Sequence, residues 1–533
     1  MPSFFKRLKK SFNKLNQPKI EMDGILDTSL IANLEYIKSR TGNSTDIIIR
    51  HHVIGESPGI PLAIVYIEGL VDIQTVNEFI TESIIKGKIP VFENPKSTIE
   101  SLRKNGITLG NIKITDKWED LFLSLMGGDT IILVDGVSEI IIAGTRGGET
   151  RSIEEPNNQV TVRGPRDGFV ESIQTNITLV RRRIKNPNLW IESMQIGKQT
   201  QTDVSIMFLN GIANEKVVEE VRRRLKKINI SEILESGYIE HLIEDQTYTS
   251  FPTMYHTERP DTVAANILEG RIAIFVDGTP YVLLVPAVFI QFFQAVDDYY
   301  SRFDIATAVR FLRILTFLLS VITPSVYIAA TTFHQEMIPT QLLIVIAAQR
   351  ENVPFPAFIE ALMMEITFEI LREAGIRMPR PVGNAISIVG ALVIGQAAVQ
   401  AGIVSPAMVI IVSITAIANF ASPSFAMAIS ARLIRFLFMV LAAVIGFYGV
   451  ILGIIFLTLH LCSLRSFGVP YMTPLAPVSP SNLQDTFIRT PLWITRRRAN
   501  LIKQRDLSGE EQPEPKPPKP RRIYKKNSQG GNS

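Results

Sequence analysis

One cysteine, Cys462, stands in 533 residues, which rules out an intrachain disulfide and any C-x-x-C redox or zinc framework. The six histidines fall into no H-x-x-x-H or H-E-x-x-H spacing, so no metal and no cofactor is expected. G-x-S-x-G, a Walker A loop and the dinucleotide fingerprint are also missing. Without a nucleophile–base pair the chain does not read as an enzyme. A formal net charge of +4 is small for this length and supplies no basic face for nucleic acid. The N-terminus, MPSFFKRLKKSFNKL, lacks the apolar run of a signal peptide. Its Phe4, Phe5, Leu8 and Phe12 interleave with Lys6, Arg7, Lys9, Lys10 and Lys14, which suits either a surface-seeking helix or a frayed basic end. Residues 1–45 are therefore set apart as a basic segment, and the soluble half is expected to be cytoplasmic.

Charge is the next thing missing, but only from the second half. It recurs every few positions up to Asp304 and nearly vanishes between Ile314 and Leu464. A membrane helix needs about 20 mostly apolar residues. Within a membrane domain over 288–465, four segments meet that need: 314–333, 382–403, 407–431 and 436–464. A fifth helical pattern, 355–373, is amphipathic and sets Glu365, Glu369 and Glu373 on one stripe. The stripe is either a solvated face or the wall of an acidic, water-filled vestibule. Arg310 and Arg313 before the first span, and Arg496, Arg497 and Arg498 after the last, place both ends in the cytoplasm. Arg432 and Arg435, read as a loop between the third and fourth spans, disagree with that count. A C-terminal extension over 466–505 and a tail over 506–533 follow; the tail, rich in Pro, Lys and Gln, is expected to be disordered.

On the second span, Asn384, Ser387, Ala391, Gly395, Ala398 and Gly402 share one face, and Val389, Val393, Gln396 and Gln400 the other. The small face suits close helix packing. The other face is a candidate pore lining in which Val389 and Val393 form a hydrophobic constriction and Gln396 and Gln400 a wetter section. The alternative is that both glutamines bond a neighbouring helix of the same subunit.

The soluble half contains a duplication. Ala63-Ile-Val-Tyr-Ile-Glu-Gly69 matches Ser205-Ile-Met-Phe-Leu-Asn-Gly211, and Gly128-Asp-Thr-Ile-Ile-Leu-Val-Asp135-Gly136 matches Gly270-Arg-Ile-Ala-Ile-Phe-Val-Asp277-Gly278. Both lie at one offset, since 211 minus 69 and 278 minus 136 are each 142. An apolar strand, an amphipathic helix and two strands joined by Asp-Gly recur in each copy. The fold class is thus an α/β soluble half of two related subdomains, 60–145 and 202–287 within a domain over 46–287, followed by an all-α polytopic membrane domain. A cleft between the lobes is either a small-molecule site or part of a scaffold. In the connector, Arg163 and Arg166 read as structural arginines that pair with carboxylates of the fold.

The stretches RGPRDGFVESIQTN (163–176), FPTMYHTERPD (251–261), FHQEMIPTQLL (333–343), RENVPFPAFIEALMMEITFEILREAG (350–375), SIVGALVIGQAAV (387–399) and SFGVPYMTPLAP (466–477) together resemble the A subunits of spore germinant receptors, the GerA family. The resemblance spans residues 40–500. It implies a spore inner-membrane protein that acts with a transporter-like B subunit and a lipoprotein C subunit. It also implies assembly as a homo-oligomer in membrane lipid around an ion-conducting pore, and no nucleic acid partner. Within that resemblance the B subunit is the better candidate for binding the nutrient. The expected function is a ligand-gated ion channel that releases ions at the start of germination. The alternatives are a secondary transporter, which calls for inverted membrane repeats, or a sporulation-stage paralogue of the same family.

Overall fold

Two runs of apolar residues, Ile60–Ile67 and Thr202–Leu209, organise the soluble half. The computed structural model describes residues 24–54, 59–82, 99–102, 111–147, 155–156, 159, 161, 163–378, 394–478 and 485–491. In it, each run is the second strand of a five-stranded antiparallel sheet. The first sheet contains β1 (Ile47–Ile54), β2 (Ile60–Ile67), β3 (Ile112–Thr115), β4 (Thr130–Val134) and β5 (Ile140–Ala143), in the order β1-β2-β4-β5-β3. The second contains β6 (Leu189–Ile196), β7 (Thr202–Leu209), β8 (Tyr255–Thr257), β9 (Ile272–Val276) and β10 (Val282–Val285), in the order β6-β7-β9-β10-β8. The topologies coincide, and the duplication is a duplication of fold.

Side chains alternate across a strand, so a strand covered on both faces is apolar throughout. In β2, Leu62, Ile64 and Tyr66 join one core and Ala63, Val65 and Ile67 the other. Helices α1 (Leu30–Arg40) and α3 (Trp118–Gly127) cover one face, and α2 (Ile73–Thr75, running on as a π-helix over Val76–Thr81) covers the other. The second lobe repeats this with α4 (Ile173–Arg183) and α7 (Pro260–Leu268) opposite α5 (Glu215–Lys227) and α6 (Ser236–Ile243).

Each copy starts earlier than positions 60 and 202. Ser29 and Ser172 cap α1 and α4. Asn33 donates to Asp27 O (2.7 Å) and accepts from Asp27 N (3.0 Å), and Asn176 does the same with Val170 (2.6 and 2.8 Å). These pairs lie 143 residues apart, since 176 minus 33 is 143, and this one-residue slip before β1 and β6 hides them from a fixed-offset comparison. The Asp-Gly pairs open the β4–β5 and β9–β10 connections, with Gly136 and Gly278 both at φ 84°. Their aspartates reach back to the first helix of the same lobe: Asp135 accepts from Leu30 N (3.0 Å) and Asp277 from Ile173 N (3.1 Å).

The helical half is built from α8 (Phe303–Thr332), α9 (Thr340–Arg350), α10 (Ala357–Arg377), α11 (Pro406–Phe420), α12 (Phe425–Ile445) and α13 (Phe447–Ser463). Among the described residues, α8 and α12 are long and apolar enough to cross a membrane. The expected spans need correction. The span expected at 314–333 coincides with α8 up to Thr332, with Phe333 as C-cap, but α8 begins earlier, because Arg310 and Arg313 are held by Asp298 instead of ending the helix. The spans expected at 407–431 and 436–464 break elsewhere: Ser422-Pro423-Ser424 separates α11 from α12, with Ser424 as N-cap, and Gly446 separates α12 from α13. Gly446 sits at φ 63°, and a Cβ there would come within 2.8 Å of His334. Of the span expected at 382–403, residues 394–400 are helical and 379–393 lie outside the described residues.

Contacts at the two ends of the bundle fix its threading. At the end next to the soluble half, Ser430 Oγ donates to Ser250 O, Thr249 bonds His460 (3.0 Å) and Ser466 Oγ donates to Thr253 O (2.7 Å). At the far end, Gly446 meets Phe333 and His334, and Ser405 bonds Glu360. The helix α8 therefore runs outward, α10 back, α11 back, α12 outward and α13 back, and the chain has regained the far end by Gly402, which lies against Asn352 O. The segment 485–491 returns to the base of α8. There the fully buried Arg310 donates to Asp485 O (2.7 Å) and Oδ1 (3.1 Å), and Tyr299 OH donates to Asp485 Oδ2 (2.9 Å). Both ends of the helical half thus lie on the side of the soluble half. The stretches 251–261 and 466–477 meet at this joint, where the buried Tyr471 donates to Pro252 O (2.8 Å) and accepts from Phe289 N (2.8 Å).

Candidate functional site

Helix α10 needs something to cover its acidic stripe, and α12 supplies it. The two helices run antiparallel, so carboxylates at i and i+4 on one meet arginines at j and j−3 on the other. Arg435, 4 % exposed, donates to Glu365 and to Ser320 O (2.7 Å). Arg432 donates to Glu369 (2.8 Å), which also takes Arg372. Among the described residues, Glu373 pairs with Arg377 (2.8 Å) of its own helix and with no other cation. A fourth acid, the fully buried Glu360, accepts from Ser405 N (3.1 Å) and Oγ (2.9 Å), with Arg350 Nε 3.4 Å from its other oxygen.

Glu365, Glu369 and Glu373 therefore do not share one environment. The first is sealed between helices, the second half-exposed in a three-member cluster, and the third exposed. Within one subunit Glu365 faces arginine and not water. This also removes the topological conflict, because Arg432 and Arg435 lie inside α12 and not in a loop. The clue was present in the spacing: Arg432 and Arg435 complement Glu369 and Glu365. Charge in an apolar run reads as a boundary unless its partner is recognised. The seal is incomplete in hydrogen-bonding terms, since Glu365 Oε1 and Arg435 Nη2 are buried with no hydrogen-bond partner among the described residues. Orphaned buried polar atoms carry a desolvation cost.

Of the four candidate pore residues, Gln396 and Gln400 are exposed, one turn apart on the helix at 394–400. Val389 and Val393 lie outside the described residues. In the connector, Arg166 pairs with Glu155 on the surface (3.2 Å) and Arg163 is exposed. The buried arginine of that region is Arg259, which grips Asp261 through two bonds and donates to Pro165 O (2.9 Å) and Gln159 O (3.1 Å).

The lobes are pinned by a buried pair, Arg181 to Asp46 (2.8 and 3.0 Å), and by Trp190 donating to Arg40 O (3.3 Å). Beside this pin lies an inter-lobe cleft of about 630 Å³ lined by Glu68, Asp72, Gln74, Arg146, Ser172 and Gln174, among others. Arg146 is committed to Asp129 (2.9 and 2.8 Å). Asp72 caps α2, and the hydroxyl of Thr75 chiefly holds its carboxyl below the ordinary range. Among the described residues no group of three His, Cys, Asp or Glu could hold a metal ion.

The sequence profile of the Bacillus/Clostridium GerA spore germination protein matches residues 35–501. Spore germination protein KA of Bacillus subtilis (strain 168) is 57% identical over 94% of this chain and 92% of its own length. The uncharacterized membrane protein YfkQ of the same organism is 42% identical over 95% of this chain and 98% of its own. The crystal structure of the N-terminal domain of the A subunit of the Bacillus megaterium spore germinant receptor GerK3 is 48% identical, covering 50% of this chain and 99% of that one with a TM-score of 0.40. With the profile matched from before the first sheet to beyond the last helix, the chain belongs to the GerA family of spore germination proteins.

Proposed function

We propose that this chain is the membrane-embedded A subunit of a nutrient-sensing germinant receptor and that copies of it assemble around an ion path. The observation that carries this reading is the pair Gln396 and Gln400. Both amides are uncovered on one face of an apolar helix, and an amide facing hydrocarbon is costly without a partner. Further copies of the chain around a wet path give those amides water. A transporter-like B subunit and a lipoprotein C subunit complete the receptor, and the soluble half faces the cytoplasm as a scaffold or sensor without catalysis of its own.

The test is ion flux from liposomes holding the purified chain, with and without its receptor partners. Val389→Ala and Val393→Ala should leak, lysine at either position should block or alter release, and thiol reagents should reach cysteines placed at 389, 393 and 396. Normal nutrient-dependent release in the alanine variants, with those cysteines unreachable, sends the path elsewhere. Turnover of a nucleotide or ester by the purified chain ends the claim of no catalysis.

A further inference from the structure

A second cavity, about 440 Å³, lies where the second lobe meets the chain leaving α13, and its lining includes Lys216, Glu220, Arg224, Asp245, Arg465 and Phe467. Its charges are unevenly spent. Arg224 bonds Glu220 (2.7 Å), Asp245 and Ile243 O (2.6 Å) and lies 4.5 Å over the Phe467 ring, so it consumes both acids. Lys216 and Arg465 are exposed, and among the described residues no ion pair engages either. With three cations and two acids in its lining, the cavity is net positive by one, and Lys216 and Arg465 are the cations outside the Arg224 cluster.

Its position gives those cations a purpose. Arg465 follows α13, whose Phe456 and Leu459 are 68% and 62% exposed. Thr249 bonds the last turn of α13, and its neighbour Tyr248 is 99% exposed. Aromatic residues with a polar tip belong at the membrane–water boundary, and Leu234, Tyr238 and Leu242, four apart along and before α6, are exposed on the same lobe. In the first lobe, Gln74 and Glu82 stand 142 positions before Lys216 and Arg224. At these two positions the second lobe, which docks on the helices, is basic and the first is not.

We infer that this cavity binds the phosphate of an anionic phospholipid headgroup, with Lys216 and Arg465 as its ligands and Tyr248 at the headgroup level. The inference rests on the membrane-subunit reading but not on conduction. The purified, delipidated full chain is to be titrated with short-chain phosphatidylglycerol, phosphatidylcholine and inorganic phosphate, with bound ligand counted by native mass spectrometry. Phosphatidylglycerol should bind in preference to phosphatidylcholine. The pair Lys216→Gln and Arg465→Gln should weaken it about fivefold per cation removed, while Lys216→Arg with Arg465→Lys retains it. Undiminished binding in the glutamine variant overturns the site. Inorganic phosphate binding as tightly as the lipid overturns the lipid assignment. Failure of the chain to enter lipid nanodiscs overturns the membrane reading itself, an outcome separate from either.

Discussion

Arg435 and Glu365 show how much a single buried side chain is constrained here. A buried pair adds little net stability over an apolar one, but removing one partner strands the other. Arg435→Met alone should therefore lower stability by about 3–5 kcal/mol, and adding Glu365→Leu should recover most of the loss. Thermal melting of the full chain in detergent checks this; a double variant no better than the single one would show that the pair is not coupled. Glu240, on the soluble side, makes the opposite point. Burial first, then the carboxylates of Glu244 and Glu235, push it up to about 7 from an ordinary 4.5. The folded state thus holds its proton more tightly than the unfolded chain. The stabilisation is complete below 4.5 and disappears as pH rises through 7, a loss of ~2 kcal/mol for this half-buried group. Relative to Glu240→Gln, the melting temperature of the parent chain should fall across that window, and a parallel profile refutes the assignment.

At the scale of the element, α12 and α13 form a hairpin whose closeness depends on glycine. A Cβ on Gly449 would meet Leu441 O at 2.2 Å, and one on Gly453 would meet the Phe438 ring at 2.9 Å. The spacing is the small-x-x-x-small device that lets helix backbones approach where no hydrophobic drive exists. Gly449→Val should prise the hairpin apart and sharply reduce the yield of folded chain. Gly468→Ala, at a turn with nothing within 4 Å of its Cβ, should cost only the strain of φ 81°, and gel filtration separates the two. Elements of the soluble half were legible in the sequence because β4 and β9 are buried on both faces and end in Asp-Gly. The helix limits in the other half were not, since Arg432 and Arg435 carry the signature of a boundary until their glutamates are placed opposite them. A pairing between helices 63 and 70 residues apart leaves no local trace.

For the whole molecule, the threading of the bundle predicts sidedness. With Cys462 replaced by serine, Gln246→Cys and Ile488→Cys should react with an impermeant thiol reagent from the same face of a sealed vesicle, and Glu336→Cys from the opposite face. Labelling of 246 and 488 from different faces would refute the threading. The same arrangement has a mechanical side. Besides the bonds of Ser430 and His460 to Ser250 and Thr249, two stretches of chain tie the soluble half to the bundle: the one entering α8, and the segment leaving α13, whose Ser466 and Tyr471 bond Thr253 and Pro252. A body on one tether swivels freely, whereas a body on two can only rock. When the lobes tilt, one attachment is pushed as the other is pulled, so the first and last helices move as a coupled lever and not as independent rods.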